Sequence, residues 1–157
     1  NFSYYDFKVP GSILLPSLRI LKLCEVRFLD GDSVKRFFSG CQLLEELDLN
    51  RCLWVTEDHV CLTAEALKIL TIVAFKGYLK IDTPGLVNLT YTHSDVVDVS
   101  SSLNSCSLFK VDLCFMCPED YGSSQVVQDL IRGAYNARYL ILSFDCVKVL
   151  FASCCFC

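Results

Sequence analysis

Leu44-Glu45-Glu46-Leu47-Asp48-Leu49-Asn50-Arg51-Cys52 is the stretch on which the reading of this chain turns. It runs L-x-x-L-x-L-x-x-C without a departure. Because side chains alternate along an extended backbone, Leu47 and Leu49 fall on one face of a short strand and Glu46, Asp48 and Asn50 on the other. One such copy could be any amphipathic strand, but the frame recurs on both sides of it. Leu18, Leu21, Leu23 and Val26 fit it upstream. Downstream it takes in Leu67, Leu70, Ile72 and Phe75, then Leu86, Leu89, Tyr91 and Ser94, then Leu108, Val111, Leu113 and Met116. A last copy, Ala137, Leu140, Leu142 and Asp145, is weaker at its first place.

The second apolar places of the six copies are residues 21, 47, 70, 89, 111 and 140, so the repeats are 26, 23, 19, 22 and 29 residues long. Leucine-rich units have a period of about 20–29 residues. Six copies in one frame predict an α/β fold, a leucine-rich repeat solenoid. It should be an irregular horseshoe with a parallel sheet on its concave face and short helices and loops on the convex side. No single repeat can bury its apolar side chains alone, whereas a stack seals them in continuous ladders. Residues 1–157 therefore form one domain of about six repeats. The chain opens on Asn1, with no signal peptide visible, and is expected to be a fragment of a longer one.

Between the strands the return segments differ in kind. Asp32 to Phe38 is expected to be helical, with Asp32 as N-cap, Val34, Phe37 and Phe38 facing inward, and Gly40 just past the end. A second helix is expected from Ser124, with Val126, Val127, Leu130 and Ile131 on one face and Gly133 as its stop. Lys76 to Pro84 is too short for a helix and admits a brief strand at Lys80-Ile81-Asp82. Thr56 to Leu62 and the Ser-rich Ser94 to Asn104 read as loops.

Composition fits this picture and removes other functions. A hydrophobic fraction of 53% and a mean hydropathy of +0.42 suit repeats that all feed one core. With a net charge of -4 and scattered Lys and Arg, nucleic acid is not an expected partner. The apolar tail Val147 to Cys157 is too short to span a bilayer, which takes about twenty residues. It is expected to leave an aggregation-prone edge, and no membrane partner is foreseen. Eleven cysteines at irregular spacing make a poor disulfide framework. Most stand beside Leu, Val or Phe, as reduced thiols in a core do. A reducing intracellular compartment, cytoplasmic or nuclear, is expected.

No catalytic set emerges, and the chain is not expected to be an enzyme. His59 and His93 lack the nucleophile and orienting group that acyl-transfer chemistry needs. Cys114 and Cys117 have C-x-x-C spacing, but Phe115-Met116 between them suits packing better than zinc. The end Cys154-Cys155-Phe156-Cys157 is a poor prenylation signal. Asn88-Leu89-Thr90 and Asn1-Phe2-Ser3 are glycosylation sequons that a reducing compartment would leave unused. No cofactor, metal or Gly-rich phosphate loop is expected.

Two phrases go beyond leucine spacing. Leu15-Pro16-Ser17-Leu18-Arg19-Ile20-Leu21-Lys22-Leu23 is followed by a helix and by Phe38-Ser39-Gly40-Cys41-Gln42-Leu43-Leu44-Glu45-Glu46-Leu47. Together with Ile81-Asp82-Thr83-Pro84-Gly85-Leu86, they resemble the leucine-rich region of plant F-box/LRR-repeat proteins. Gln42 stands where that family usually has proline. The resemblance runs over residues 7 to 145. Neither the F-box, which docks on a Skp-type adaptor of a cullin ubiquitin ligase, nor the C-terminal FBD-type domain is found. The resemblance implies the substrate-recognition region of an F-box-type ubiquitin-ligase receptor, with a Skp-type adaptor as partner only if an F-box precedes it. The alternative is a free-standing leucine-rich repeat interaction module, or an immune-receptor sensor fragment, with no link to ubiquitination.

The frame also nominates a binding surface, the strand positions that point away from the core. These are Ile20, Lys22 and Cys24; Glu46, Asp48 and Asn50; Ile69, Thr71 and Val73; Asn88, Thr90 and Thr92; Lys110, Asp112 and Cys114; Tyr139, Ile141 and Ser143. Lys22, Glu46, Asp48, Asn50, Thr71, Asn88, Thr90, Lys110, Asp112 and Tyr139 are expected to read a protein substrate or peptide ligand on the concave face. The patch is polar and mixed in sign, which suits a protein better than a highly charged ligand.

Overall fold

The computed structural model describes residues 4–8, 13–55, 60–77, 79–92, 97–98, 108–114 and 130–147. In chain order the elements are β1 (Tyr5–Phe7), β2 (Ile20–Cys24), β3 (Val26–Phe28), helix α1 (Gly31–Ser39), β4 (Glu46–Asn50), β5 (Leu53–Trp54) and β6 (Val60–Thr63). They continue with β7 (Ile69–Val73), β8 (Leu79–Asp82), β9 (Asn88–Thr92), β10 (Val97–Asp98), β11 (Lys110–Cys114) and β12 (Tyr139–Leu142).

Each of the six frame copies contributes one strand to a single six-stranded sheet, ordered β12-β11-β9-β7-β4-β2. All its pairs are parallel, and the register follows the leucine frame without a slip. Leu21 pairs with Leu47, Leu47 with Leu70, Leu70 with Leu89, Leu89 with Val111, and Val111 with Leu140. A one-residue slip would turn a whole apolar column outward, so the inward leucines themselves hold the register. The architecture is a parallel-sheet solenoid of leucine-rich repeat type.

Backbone hydrogen bonds extend the ladder beyond both strand ends. Ahead of the strands, Glu45 and Glu46 donate to the Arg19 carbonyl, Lys68 and Ile69 to that of Glu45, and Val87 and Asn88 to that of Lys68. Just after the strands, Glu25 donates to Asn50, Arg51 to Val73 and Ala74 to Thr92. These three exit residues share a left-handed backbone, with φ of 57°, 51° and 50°. The corner recurs because each repeat must leave its strand at the same angle to stack on the next.

The core lies behind the sheet. Leu47, Leu49, Leu70, Ile72, Leu89, Tyr91, Val111 and Leu113 fill its two inward columns and are almost wholly buried. Burying one such side chain is worth roughly 1.5–3 kcal/mol, and here each is covered by the repeats on either side. At the ninth frame place Cys52 is fully buried and its thiol donates 3.5 Å back to the Leu23 carbonyl of the preceding repeat. In the last repeat that role falls to Cys146, not to Asp145 as the frame predicted. Cys146 is buried and its thiol donates to Leu113 at 3.3 Å. Residues 144–147 form a helical turn, and this turn displaces the ninth place by one residue.

Helix α1 also begins earlier than expected. Asp30, not Asp32, is its N-cap: its extended backbone lets the carboxylate accept from the Asp32 and Ser33 amides, each at 3.1 Å. The Asp30 carboxyl is held below its ordinary range, chiefly by the Ser33 hydroxyl. Val34, Phe37 and Phe38 are buried as expected. Phe7, Phe28, Phe37 and Trp54 join them in a chain of ring contacts at 5.1–5.4 Å. Gly40 follows the helix but keeps a right-handed φ of -77°. Glycine stands there because a Cβ would overlap the Ile13 carbonyl oxygen, and Leu15 donates to the Gly40 carbonyl at 3.1 Å.

Away from the main sheet, several return segments pair with one another. β1, β3 and β5 form one small parallel sheet, and β6, β8 and β10 form another. The strand expected at Lys80-Ile81-Asp82 is present as β8. Val60–Thr63 and Val97–Asp98, expected in loops, are strands as well. Their pairing is a consequence of stacking: equivalent points of adjacent repeats sit one strand spacing apart, so extended returns bond whatever their local sequence. Gly77, at φ +109°, passes so close to Trp54 that a Cβ would lie 2.6 Å from the Trp54 Cβ.

In the second predicted helix, residues 130–133 are helical, with Leu130 buried and Gly133 the last helical residue. Ser124, Val126, Val127, His59, His93, Ser94, Met116, Cys117 and the tail from Lys148 to Cys157 lie outside the described residues. Among the described residues, no helix is long and apolar enough to cross a membrane.

Candidate functional site

Register turns the outward positions into three rows running across the strands. The first is Ile20, Glu46, Ile69, Asn88, Lys110 and Tyr139. Lys22, Asp48, Thr71, Thr90, Asp112 and Ile141 form the second. A third holds Cys24, Asn50, Val73, Thr92 and Cys114. All ten nominated residues lie on this face, brought together from six different repeats. With strands about 4.8 Å apart, the first two rows are about 24 Å long.

The face is half-buried rather than freely solvated. Glu46, Asp48, Asn50, Thr71, Asn88, Thr90 and Asp112 are all partly covered by their neighbours, while Lys22, Lys110 and Tyr139 stand exposed. Lys22 Nζ lies 3.0 Å from Glu46 Oε1. That hydrogen bond, and after it the charge of Glu46, raises the Lys22 pKa above its ordinary value. Lys110 Nζ sits 3.9 Å from an Asp112 oxygen. By contrast, Asp48 Oδ1 and Asn88 Oδ1 are shielded from solvent with no hydrogen-bond partner.

Charges also line the two margins of the face. Glu45 receives both Arg19 and Lys68, the latter at 3.2 Å. Its carboxyl is held below the usual range, first by the Lys68 hydrogen bond. On the exit side, Arg51 pairs with Glu25 at 3.2 Å. The leucine frame did not single out Phe109, which precedes β11 and packs on Tyr139 with ring centroids 5.0 Å apart. Phe109 lies one place before the outward frame positions, so no spacing rule marks it.

Among the described residues, no group of His, Cys, Asp and Glu could hold a metal ion. The six described cysteines are free thiols. Burial pushes the Cys41 thiol up, and takes the Cys52 thiol up to about 11, so neither is poised as a nucleophile. A cleft of about 450 Å³ opens between the end of α1 and the turn before β7, lined by Phe38, Cys41, Leu44, Ala64 and Glu65 among others. It contains none of the nominated residues. What the face offers is a broad ordered grid of hydrogen-bonding and apolar groups, the kind of extended surface that solenoids use for binding.

This fold and this face define a leucine-rich repeat protein, and the "Leucine Rich Repeat" family model matches residues 17–42. An FBD-associated F-box protein of Arabidopsis thaliana is 30% identical over 165 residues, covering 90% of this chain and 36% of that protein. An F-box/FBD/LRR-repeat protein of the same plant is 28% identical over 174 residues, covering 96% of the chain and 37% of the relative. A putative F-box/LRR-repeat protein, also of Arabidopsis thaliana, is 30% identical over 168 residues, covering 96% and 32%. The chain is thus a relative of the plant F-box/LRR-repeat proteins, and it spans about a third of the length of the curated relatives it matches. No solved structure matches it.

Proposed function

We propose that the open face of the six-stranded sheet binds a protein or peptide, and that the chain is the substrate-recognition region of an F-box-type ubiquitin-ligase receptor. The carrying observation is the in-register face itself. Its inward columns are sealed, while Lys22, Glu46, Asp48, Asn50, Thr71, Asn88, Thr90, Lys110, Asp112 and Tyr139 are presented together on the other side. Kinship with proteins named for an F-box supports the ligase half of the reading. On this reading residues 1–157 act as one domain of six repeats. A Skp-type adaptor would be engaged by an F-box, not by this face, and free thiols suit a reducing intracellular compartment.

A photo-crosslinking amino acid at position 71, compared with one at Lys35 on the exposed side of α1, tests the proposal in plant cells. The expected result is crosslinks from position 71 alone, to proteins that accumulate with ubiquitin chains when the proteasome is blocked. Equal capture from both positions would overturn the binding face. Capture from position 71 of proteins whose turnover is independent of ubiquitin would instead leave a free-standing interaction module.

A further inference from the structure

We infer that the partner of the open face is a basic segment that sets a Lys or Arg over Asp48, an N–H donor over Asn88 and an apolar side chain on the Tyr139–Ile141 end. The inference rests on the proposed binding role of that face and adds the chemistry of its occupant. Three carboxylates stand on the described face, Glu46, Asp48 and Asp112, against two ammonium groups, Lys22 and Lys110. Lys22 is committed to Glu46 at 3.0 Å, and Lys110 is nearest Asp112. Asp48 is therefore the face carboxylate without an ion-pair partner. Its Oδ1 and that of Asn88, two strands away, are both shielded from water and both lack a donor. Leaving a buried acceptor unpaired is costly, and only a group with N–H or O–H to give can relieve it.

In the structure no neighbouring side chain supplies that donor. Asp48 has Lys22 and Thr71 as register neighbours, and Asn88 has Ile69 and Lys110. No bond from any of them reaches either oxygen. A cationic side chain from outside meets a carboxylate that feels Lys22 only at a distance, and its aliphatic stem would lie along Ile69 and Thr71. Four strands further on, Tyr139 and Ile141 are 58% and 46% exposed, an apolar patch next to the polar middle. Four steps of about 4.8 Å make about 19 Å, which an extended segment covers in about six residues. The occupant is thus a two-point segment, basic at one point and aliphatic or aromatic about six residues away.

The probe is a displayed library of random twelve-residue peptides, panned against the full 157-residue chain and followed by fluorescence anisotropy of the selected sequences. Enrichment of Lys or Arg with an apolar residue about five to seven places away is expected. Replacing that cation by Glu, or Asp48→Asn in the protein, should each weaken binding about tenfold. Asp48→Lys should restore affinity for the Glu-bearing peptide. Thermal melts confirm that each variant stays folded. Selected peptides without a basic residue, binding indifferent to Asp48→Asn, or no selection at all would overturn the inference. Thr71→Arg separates the two levels. Binding lost in Thr71→Arg but kept in Asp48→Asn would leave the face standing and remove the charge argument, whereas binding kept in both would remove both.

Discussion

Leu70 and Leu140 occupy the same column of the same sheet, yet the first is fully buried and the second is 43% exposed. Their frames are alike, and both backbones are in register strands. What differs is company. β7 has β4 on one side and β9 on the other, whereas β12 has only β11 beside it among the described strands. β2, at the opposite end, shows a milder version, with Leu21 and Leu23 partly exposed. The pattern L-x-x-L-x-L therefore decides which way a side chain points. Only the repeats above and below decide whether it is buried. Stability in such a stack is a sum of neighbour contacts, so its middle and its ends should behave differently under one and the same mutation.

The largest expected effect comes from that contrast. Leu70→Ala should cost about 2–5 kcal/mol in urea unfolding, since it opens a cavity between two packed repeats. Leu140→Ala, three strands along the same column at its end, should cost under about 1 kcal/mol because solvent already reaches it. Equal losses would break the comparison.

Alkaline pH separates the two kinds of thiol. Cys52 is buried in the middle, and its pKa rises from 9.0 to about 11, while Cys24 and Cys61 are exposed. A raised folded-state pKa means the folded form holds its proton longer than the unfolded form. The stabilisation is fully present below about pH 9 and is lost as pH climbs toward 11. In native protein at pH 8, a thiol-specific disulfide reagent should label Cys24 and Cys61 readily and leave Cys52 untouched until the chain unfolds. Early labelling of Cys52 would mean the stack is open at its centre.

A smaller effect is expected on the outer side of the same strands. Asp48→Thr removes a carboxylate oxygen that has no donor, and it suits a strand better, so stability should rise by about 0.5–1 kcal/mol. A gain there, set against the loss at Leu70, would mark the outward face as shaped by something other than folding. A loss would mean that Asp48 serves the fold. The smallest change is at the exit corner, where Ala74 holds φ at 50°. Ala74→Gly should relieve that strain and, after glycine's own entropy cost, leave a gain of roughly 0.5 kcal/mol by thermal unfolding.

Much of this was legible from residue order because the repeat is a local pattern read many times over. The strand frame, the parallel sheet and the alternation of Leu47 and Leu49 against Glu46, Asp48 and Asn50 all follow from a period of two within a period of about 20–29. The outward placement of the ten nominated residues followed from it too. Less legible were features that depend on what lies alongside. β5, β6 and β10 pair because neighbouring repeats bring extended returns together, and nothing within Leu53–Trp54 or Val97–Asp98 announces it. The cap at Asp30 went to the earlier of two aspartates two residues apart, a choice made by backbone angles. Cys146 displaced Asp145 because a helical turn shifted the chain by one residue. The unpaired oxygens of Asp48 and Asn88 became visible only once every neighbouring side chain had a position.

The most direct test of the account is side-chain footprinting of the unaltered chain by hydroxyl radicals, read by mass spectrometry with and without a selected basic peptide. The free chain should oxidise at Ile69, Tyr139 and Ile141 and stay silent at Leu70, Ile72 and Tyr91, and the peptide should protect the first group alone. Oxidation of Tyr91 as fast as Tyr139, or protection by the peptide anywhere but the open face, would contradict it.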